Sequence, residues 1–175
     1  MIPVLTTERL VLRPHTADDL DAVAAMTGDA EVMRFIGGVP QPREDSWRRM
    51  LCGPAMWMLL GYGYWIVERR ADGAVIGQLG FADFKRAMEP NIEGIPELGY
   101  VLAAHAHGQG YASEGVAAAL RWADSALEAD QYAAIIDPDN SASIRVIEKA
   151  GFAIREPALY KDGPILLFRR PRPVP

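Results

Sequence analysis

The residues best suited to chemistry lie in one glycine-rich stretch, HGQGYASEGVAAAL, at residues 107–120. Gly108 and Gly110 precede an alanine-rich run with helical spacing, so a helix would begin where the chain carries no side chains. A helix N-terminus offers unpaired backbone N–H groups and the positive end of the helix dipole. The spacing therefore predicts an anion site, in which amides of residues 109–112 and the Ser113 hydroxyl hold phosphate oxygens.

Two alternatives to a phosphate site would also account for these glycines. A plain strand-to-helix turn needs glycine wherever φ is positive. A dinucleotide-binding loop also places glycines at a helix N-terminus, and Asp130 lies about 20 residues further on, where such folds carry an acidic residue. That fold has its turn after a first parallel strand, however, whereas a meander of strands comes first here. A Walker A loop is excluded because Gly-Lys-Ser/Thr is absent.

Length, charge and cysteine content limit the class of protein. A chain of 175 residues suits one domain, and 50% apolar with 23% charged residues is a globular composition. A net charge of -5 and a pI near 5.2 argue against nucleic-acid binding and slightly favour a cationic substrate. Cys52 is the only cysteine, which predicts a reducing, cytoplasmic compartment. The N-terminus does not look like a signal peptide, and the uncharged run at 53–67 is too short to span a membrane.

The elements that would position the glycine-rich loop follow from periodicity and turn residues. Strands are predicted at 9–13, 63–69, 74–84, 95–103, 132–136, 152–155 and 165–169, and helices from Thr16 (capped with Asp19), from Pro42, over 110–128 and over 140–149. The three strands between 63 and 103, two of them joined by an Asp-Gly turn, indicate an antiparallel meander. Residues 1–170 would form one domain. The run RRPRPVP cannot sustain a ladder, so the tail 171–175 is expected to be loose.

Four stretches in register along nearly the whole chain resemble the GNAT superfamily of N-acetyltransferases. The run HGQGYA at 107–112 is similar to the Gln/Arg-x-x-Gly-x-Gly/Ala loop with which that superfamily holds the pyrophosphate of acetyl-CoA. The others are TTERLVLRP at 6–14, GYWIVERRADGAVIGQLGF at 63–81 and NSASIRVIEKAGF at 140–152. Together they look like the Rim-type branch, which includes ribosomal-protein N-terminal acetyltransferases. The resemblance implies a mixed α+β acyltransferase fold, with a mostly antiparallel twisted sheet and helices on both faces, and acetyl-CoA as co-substrate.

The resemblance also implies where the cofactor lies. The strands at 97–102 and 132–136 would splay apart, with the pantetheine arm between them pairing with strand backbone. The expected cofactor contacts are Tyr100, Val101, Leu102, His107, Gly108, Gln109, Gly110, Tyr111, Ala112, Ser113 and Asn140. The N–H of Val101 or Leu102 would stabilise negative charge on the thioester oxygen. Gly99 in that strand marks either a bulge or close packing.

Acetyl transfer to an amine requires the neutral amine, which is scarcer for a lysine with a pKa near 10.4 than for an α-amine near 8. Glu97 is the candidate for taking the amine proton, directly or through water, or for holding the cation; a surface glutamate at a strand start is the alternative. Ser143 is the candidate acid for the departing thiolate, because Rim-type enzymes often carry serine there. Asn140 and Ser143 also suit a helix N-cap and first turn.

Two residues depart from the family pattern. Ile147 stands where many members carry a tyrosine thought to protonate the thiolate, and His107 replaces the Gln or Arg that opens the loop. The leading hypothesis is direct acetyl transfer, in a ternary complex, to a primary amine of a protein N-terminus, aminoglycoside, polyamine or amino acid. The departures favour an alternative, a CoA-binding regulatory or scaffold module with a degenerate site.

The remaining expectations concern partners. No metal site is expected, because His15, His105 and His107 lack a clustered carboxylate or cysteine partner. Neither a nucleic acid nor a membrane is expected as a partner. The stretch 47–65 holds three methionines, which together with Trp47, Trp57, Tyr62 and Tyr64 could wall an acceptor pocket, form a homodimer contact or simply pack in the core.

Overall fold

A nine-stranded sheet with helices on both faces forms the part of the chain that the computed structural model describes, residues 1–161 and 163–173. The strands are β1 (Leu5–Thr6), β2 (Leu10–Arg13), β3 (Tyr64–Arg69), β4 (Ala74–Ala82), β5 (Met88–Glu89), β6 (Glu97–Leu102), β7 (Gln131–Ile136), β8 (Ile154–Tyr160) and β9 (Gly163–Pro171). The helices are α1 (Leu20–Thr27), α2 (Ala30–Met33), α3 (Arg43–Leu60), α4 (Tyr111–Ala126) and α5 (Ser141–Lys149). The strand order is β1-β2-β3-β4-β6-β7-β9-β8-β5.

Every neighbouring pair in this sheet is antiparallel except β6 with β7. The predicted meander is confirmed, because β3, β4 and β6 are consecutive antiparallel neighbours. The predicted fold class, α+β with a mostly antiparallel sheet, is confirmed as well.

Alternation along β3 assigns the helices to opposite faces of the sheet. Trp65 and Val67 lie in the main core together with inward-facing residues of α4. Ile66, between them, packs instead with Val23 of α1 and Met50 of α3. Because successive strand residues point to opposite faces, α4 and α5 cover one side, the α4 face, and α1 to α3 cover the other, the α3 face.

The strands β6 and β7 separate soon after they begin. Each has six residues, but only Glu97 and Ala133 are in register between them. At the closed end, the Ala133 N–H donates to the Pro96 carbonyl oxygen at 3.1 Å. The predicted splay is thus confirmed, and a gap opens between the later residues of the two strands.

The C-terminal run RRPRPVP corrects one expectation. The strand β9 continues to Pro171, which lies opposite Gln131 of β7. The Arg172 backbone N–H then donates to the Asp130 backbone carbonyl oxygen at 2.8 Å. The prediction that this run cannot sustain a ladder is wrong for residues 169–171, because its proline comes only at the strand end and Arg170 is anchored to Asp124 of α4 at 2.8 Å. Residues 174 and 175 lie outside the described residues.

The helix α3 buries only one side, which divides the methionine-rich stretch. Met50 is 2% exposed and packs in the core, whereas Met58 is 81% exposed. Trp57 contacts Trp65 edge to face, with ring centroids 4.8 Å apart, so most of the aromatic residues have a packing role. Cys52 lies on the exposed side of α3.

The carboxylate of Asp19 is buried where β2 meets the turn that leads into α1. Asp19 is 3% exposed and accepts hydrogen bonds from the Thr16 backbone N–H at 2.7 Å and from the Arg13 guanidinium at 2.7 and 3.0 Å. Its predicted role at the helix start is confirmed. Burial acts to raise the pKa of this carboxyl, but the bonds from Arg13 and Thr16 outweigh burial, and the pKa is lowered.

Replacing Asp19 by asparagine is expected to lower the free energy of unfolding at pH 7 by about 2–3 kcal/mol, because Arg13 loses a buried partner. A lowered carboxyl pKa contributes stability that is present above the unfolded pKa of about 4 and is lost as the pH falls further. Urea unfolding should therefore show a large difference from the wild type at pH 7 and a smaller one in acid. The exposed neighbour Asp18 is the control; a difference that does not depend on pH would contradict the assignment.

Candidate functional site

The glycine-rich loop leaves the N-terminus of α4 open. Gly110 is the N-cap residue, with φ 80° and ψ 4°, and Gly108 has φ 72°. Both angles lie in the left-handed region that favours glycine. A Cβ on Gly108 would meet nothing within 4 Å, so the space in front of the helix is empty of protein atoms there. The two explanations for these glycines are therefore compatible: the turn requires positive φ, and the missing side chains leave an open approach for an anion.

Three amides at the start of α4 have no acceptor within the helix. The Glu114 N–H donates to the Gly110 carbonyl oxygen at 3.1 Å, and it is the first N–H that can do so. The N–H groups of Tyr111, Ala112 and Ser113 precede it. A helix of 16 residues places its positive dipole end at the same point. This arrangement suits a diphosphate.

Arg9 holds the loop from outside, a role that the sequence pattern did not reveal. One Nη donates to the Gln109 carbonyl oxygen at 2.9 Å, and the Nε pairs with the Glu114 carboxylate at 2.6 Å. The guanidinium also lies 4.6 Å from the centre of the Tyr111 ring. Arg9 thus ties the loop to the first turn of α4. The available signal was its place in the family-like stretch at 6–14.

His107 braces the loop against β6. Its Nε2 lies 2.9 Å from the Leu102 carbonyl oxygen, an acceptor, so this nitrogen carries the proton. The Gln109 side chain similarly donates to the His105 carbonyl oxygen at 2.7 Å. Both side chains therefore position the loop through backbone groups of the same chain, while the backbone amides remain available to an anion.

The register of β6 decides which of its backbone groups face the gap. The Ala103 N–H donates to the Ile76 carbonyl oxygen, and bonded pairs alternate along an antiparallel ladder. Val101 therefore turns its N–H towards β4, and Tyr100 and Leu102 turn theirs towards β7. This corrects the expectation that Val101 offers its N–H to the thioester. Tyr100 and Leu102 have open groups because β7 has already diverged.

The start of α5 lies on the other side of the gap. The Asn140 side chain accepts a hydrogen bond from the Ser143 N–H at 3.1 Å, so the predicted cap is confirmed. Ile147 is 1% exposed in the main core and carries no proton donor. The Tyr100 hydroxyl reaches across to the Ser143 carbonyl oxygen at 3.5 Å, and burial raises the pKa of this phenol to about 12. The Tyr100 hydroxyl therefore lies beside the backbone of Ser143, where the gap meets α5.

Glu97 is buried and paired, which excludes the alternative of a surface glutamate. It is 4% exposed, and its two oxygens accept hydrogen bonds from Arg86 at 2.7 and 2.9 Å. Arg86 also donates to the Tyr160 hydroxyl at 2.9 Å and stacks 4.5 Å from the centre of the Phe84 ring. Burial acts to lower the pKa of Arg86, but Glu97 outweighs burial and raises it. Both carboxylate oxygens of Glu97 are thus engaged by Arg86, which competes with an amine for them.

The described part of the chain offers neither a metal cluster nor a membrane span. In residues 1–161 and 163–173, no three His, Cys, Asp or Glu side chains are grouped as metal ligands would be. No helix in that part of the chain is long and apolar enough to cross a membrane.

Residues 9–153 match the family model of the acetyltransferase (GNAT) domain. The chain belongs to the GNAT acetyltransferase family. This acetyltransferase is 28% identical over 167 residues to an uncharacterized N-acetyltransferase, YoaA of Bacillus subtilis, with 93% of this chain and 92% of the relative covered. A putative GnaT-family acetyltransferase from Bordetella pertussis has the same fold, with a TM-score of 0.84 at 26% identity, covering 97% of this chain and 99% of that one.

Two more distant structures share the GNAT fold with this acetyltransferase. One is RimL, a ribosomal L7/L12 α-N-protein acetyltransferase in complex with CoA, with a TM-score of 0.77 at 15% identity over 97% of this chain and 98% of that one. The other is AAC(6')-Ib in complex with paromomycin and acetyl-CoA, with a TM-score of 0.78 at 22% identity over 94% of each. The expected fold and the enzyme class are confirmed: acetyl transfer from acetyl-CoA to amines is the family's general activity.

Proposed function

We propose that this acetyltransferase moves the acetyl group directly to a primary amine in a ternary complex. The observation that carries the proposal is that one loop connects two sets of backbone groups that have no partner within the described part of the fold. The uncapped amides of α4 lie at the end of the same loop, braced by His107, that leads back to the open groups of Tyr100 and Leu102. A molecule with an anionic end and an amide-bearing arm, such as acetyl-CoA, fits both sets at once.

In this proposal the pyrophosphate is held by amides of residues 109–112 and the Ser113 hydroxyl, next to Gly108 and Gly110. The pantetheine arm pairs with the N–H and C=O of Tyr100 and with the N–H of Leu102, as an added strand would. Asn140 contacts the arm with the side of its amide that does not cap α5. Arg9 and His107 hold the loop through contacts within the chain, which supports the proposal because a loop held in this way loses less entropy on binding.

The chemistry then needs two hydrogen-bond donors. One of the two N–H groups, that of Leu102 or that of Tyr100, lies where the arm ends in the thioester, and it stabilises the charge that develops on the thioester oxygen while the other pairs with an amide of the arm. Ser143, with the Tyr100 hydroxyl beside it, donates to the departing sulfur. A thiolate with a pKa near 8.5 leaves readily, so a modest donor suffices in place of the tyrosine that Ile147 replaces.

The acceptor approaches through a cleft of about 790 Å³ lined by residues 84–89 and 159–161. The lining of this cleft carries three cations, Lys85, Arg86 and Lys161, and one carboxylate, Glu89. This excess of positive charge disfavours a polycationic acceptor, so we infer a monoamine such as a protein N-terminus, as in the Rim-type branch. We also infer a reducing, cytoplasmic setting, because the sequence carries a single cysteine.

An amine panel tests this function. Thiol release from acetyl-CoA is measured with peptides that begin with serine or alanine, phenethylamine, lysine, spermidine and kanamycin. We expect turnover with the peptides or the monoamine above that with the polycations. For a peptide, the rate should rise with pH and level off above the α-amine pKa of about 8, because only the neutral amine attacks.

The second candidate function is a CoA-binding regulatory module, which the buried Ile147 and the paired Glu97 favour. Calorimetry with CoA separates the two functions. Tight CoA binding without turnover of any amine in the panel would contradict the enzymatic proposal and support the module.

A further inference from the structure

A row of three residues across the sheet places a tyrosine hydroxyl beside the open edge of β6. Tyr64 of β3 lies opposite Gly80 of β4, and Gly80 lies opposite Gly99 of β6. A Cβ on Gly99 would lie 2.0 Å from the Tyr64 hydroxyl oxygen and 3.2 Å from the carbon that bears it. The Tyr64 ring therefore extends over Gly80, and its hydroxyl takes the space that a Gly99 side chain would fill.

This row accounts for the glycine at position 99. The pairing of β4 with β6 runs from Gly77–Leu102 to Ala82–Glu97 without a register shift, so there is no bulge at Gly99. Of the two roles expected for this glycine, a bulge or close packing, the structure has close packing. The packing partner is a polar atom, which a purely structural contact would not require.

The surroundings of the Tyr64 hydroxyl leave it available to a ligand. It has no hydrogen-bond partner within residues 1–161 and 163–173. Glu97, on the same face of β6, is already paired with Arg86. Burial raises the pKa of Tyr64, so the phenol keeps its proton at neutral pH. The Phe84 ring, centred 6.5 Å from the Tyr64 ring, connects this point to the acceptor cleft.

The two faces of the sheet separate the two substrates. The helix α4, whose N-terminus is the anion site, covers one face, so acetyl-CoA reaches the gap from that side. Tyr64 and Gly99 lie on the other face, together with Val101, which packs against Met26 and Val32. An amine can then approach the acetyl carbon from this other face, opposite to the side from which the cofactor enters.

We propose that Tyr64 is a catalytic residue of this acetyltransferase. The Tyr64 hydroxyl oxygen accepts a hydrogen bond from the incoming amine and orients it so that the lone pair of the amine nitrogen points at the acetyl carbon. The inference rests on the proposed function. The amine nitrogen forms the C–N bond as the C=O electrons move to oxygen. The C=O bond then re-forms as the C–S bond breaks with its electron pair on sulfur. The nitrogen loses one proton to solvent and the sulfur takes one up, while Tyr64 keeps its own.

Tyr64→Phe tests the role, because it removes the hydroxyl and keeps the ring that covers Gly80. With the best amine of the panel at saturating acetyl-CoA, kcat is expected to fall about 10- to 100-fold, the loss of one hydrogen bond to a nitrogen that gains charge. The dissociation constant for CoA, measured by calorimetry, should stay within about twofold, because Tyr64 does not touch the cofactor.

Tyr132→Phe is the matched control. Tyr132 is 0% exposed in the main core, and its hydroxyl also has no partner in the described chain, so its removal should leave kcat unchanged. Wild-type kcat in Tyr64→Phe, or an equal loss in Tyr132→Phe, would overturn the role of Tyr64 while leaving the enzymatic function intact. A wild-type protein that turns over no amine would overturn both.

Gly99→Ala provides a second measurement. The added methyl group must displace the Tyr64 hydroxyl, so kcat should fall in the wild-type background. In Tyr64→Phe the nearest ring atom is 3.2 Å from the new Cβ and the hydroxyl is already absent, so the same change should cost much less. Equal losses in the two backgrounds would show that Gly99 acts independently of Tyr64 and would contradict the proposal.

Discussion

Replacing Gly110 by valine is expected to weaken CoA binding at least about 100-fold, the largest effect on the cofactor that we expect from a single change. Gly110 has a φ of 80°, which a β-branched residue does not adopt without strain. Its new Cβ would lie 3.5 Å from an Arg9 Nη, so the branches would crowd the guanidinium that holds the loop. Either the side chain blocks the amides or the turn changes shape and misdirects them. Calorimetry with CoA measures the loss.

Gly61→Val is the control for strain alone. Gly61 ends α3 with a φ of 77°, and a Cβ there would meet nothing within 4 Å. The two variants should lose similar stability through the positive φ, but only Gly110→Val should lose CoA affinity. If Gly61→Val weakens binding equally, or Gly110→Val binds CoA as the wild type does, the anion site is not at the start of α4.

Replacing Arg86 by alanine is expected to lower the free energy of unfolding by about 3–5 kcal/mol, because a carboxylate that is 4% exposed loses both of its charged donors. That is a large fraction of the stability of a single domain. We expect kcat to fall as well, because Arg86 joins Glu97 of β6 to Tyr160 of β8 beside the acceptor cleft. Urea unfolding and the panel assay measure the two effects.

Two further variants separate the effect of burying this ion pair from the effect of its charges on stability. Arg69→Ala breaks a more exposed pair with Asp72, which solvent screens, and should cost much less stability than Arg86→Ala. The double variant Arg86→Met, Glu97→Gln removes both charges and should recover much of the lost stability. Its kcat tests Glu97 as the base: activity near that of the wild type would show that no carboxylate is needed there. If Arg86→Ala lowers the free energy of unfolding no more than Arg69→Ala does, the assignment of Arg86 and Glu97 as a stabilising buried pair is contradicted.

The sequence by itself determined the features that depend on neighbouring residues. The positive φ at Gly108 and Gly110 and the start of α4 follow from short-range sterics and helix-end chemistry, so the loop could be predicted with its orientation. The meander followed from alternation and an Asp-Gly turn, and the N-cap at Asn140 from a side chain that reaches only three residues. These are properties of short stretches, which a fold changes little.

Only the tertiary structure decided the contacts between distant residues. The pairing of Glu97 with Arg86, the hold of Arg9 on the loop and the position of Tyr64 over Gly99 all depend on the register between strands. One residue of slip would turn the side chains of Glu97 and Tyr64 to the opposite face of the sheet, and no local pattern records the register. For the same reason, the orientation of the Val101 N–H towards β4 and the extension of β9 to Pro171 could be seen only in the folded chain.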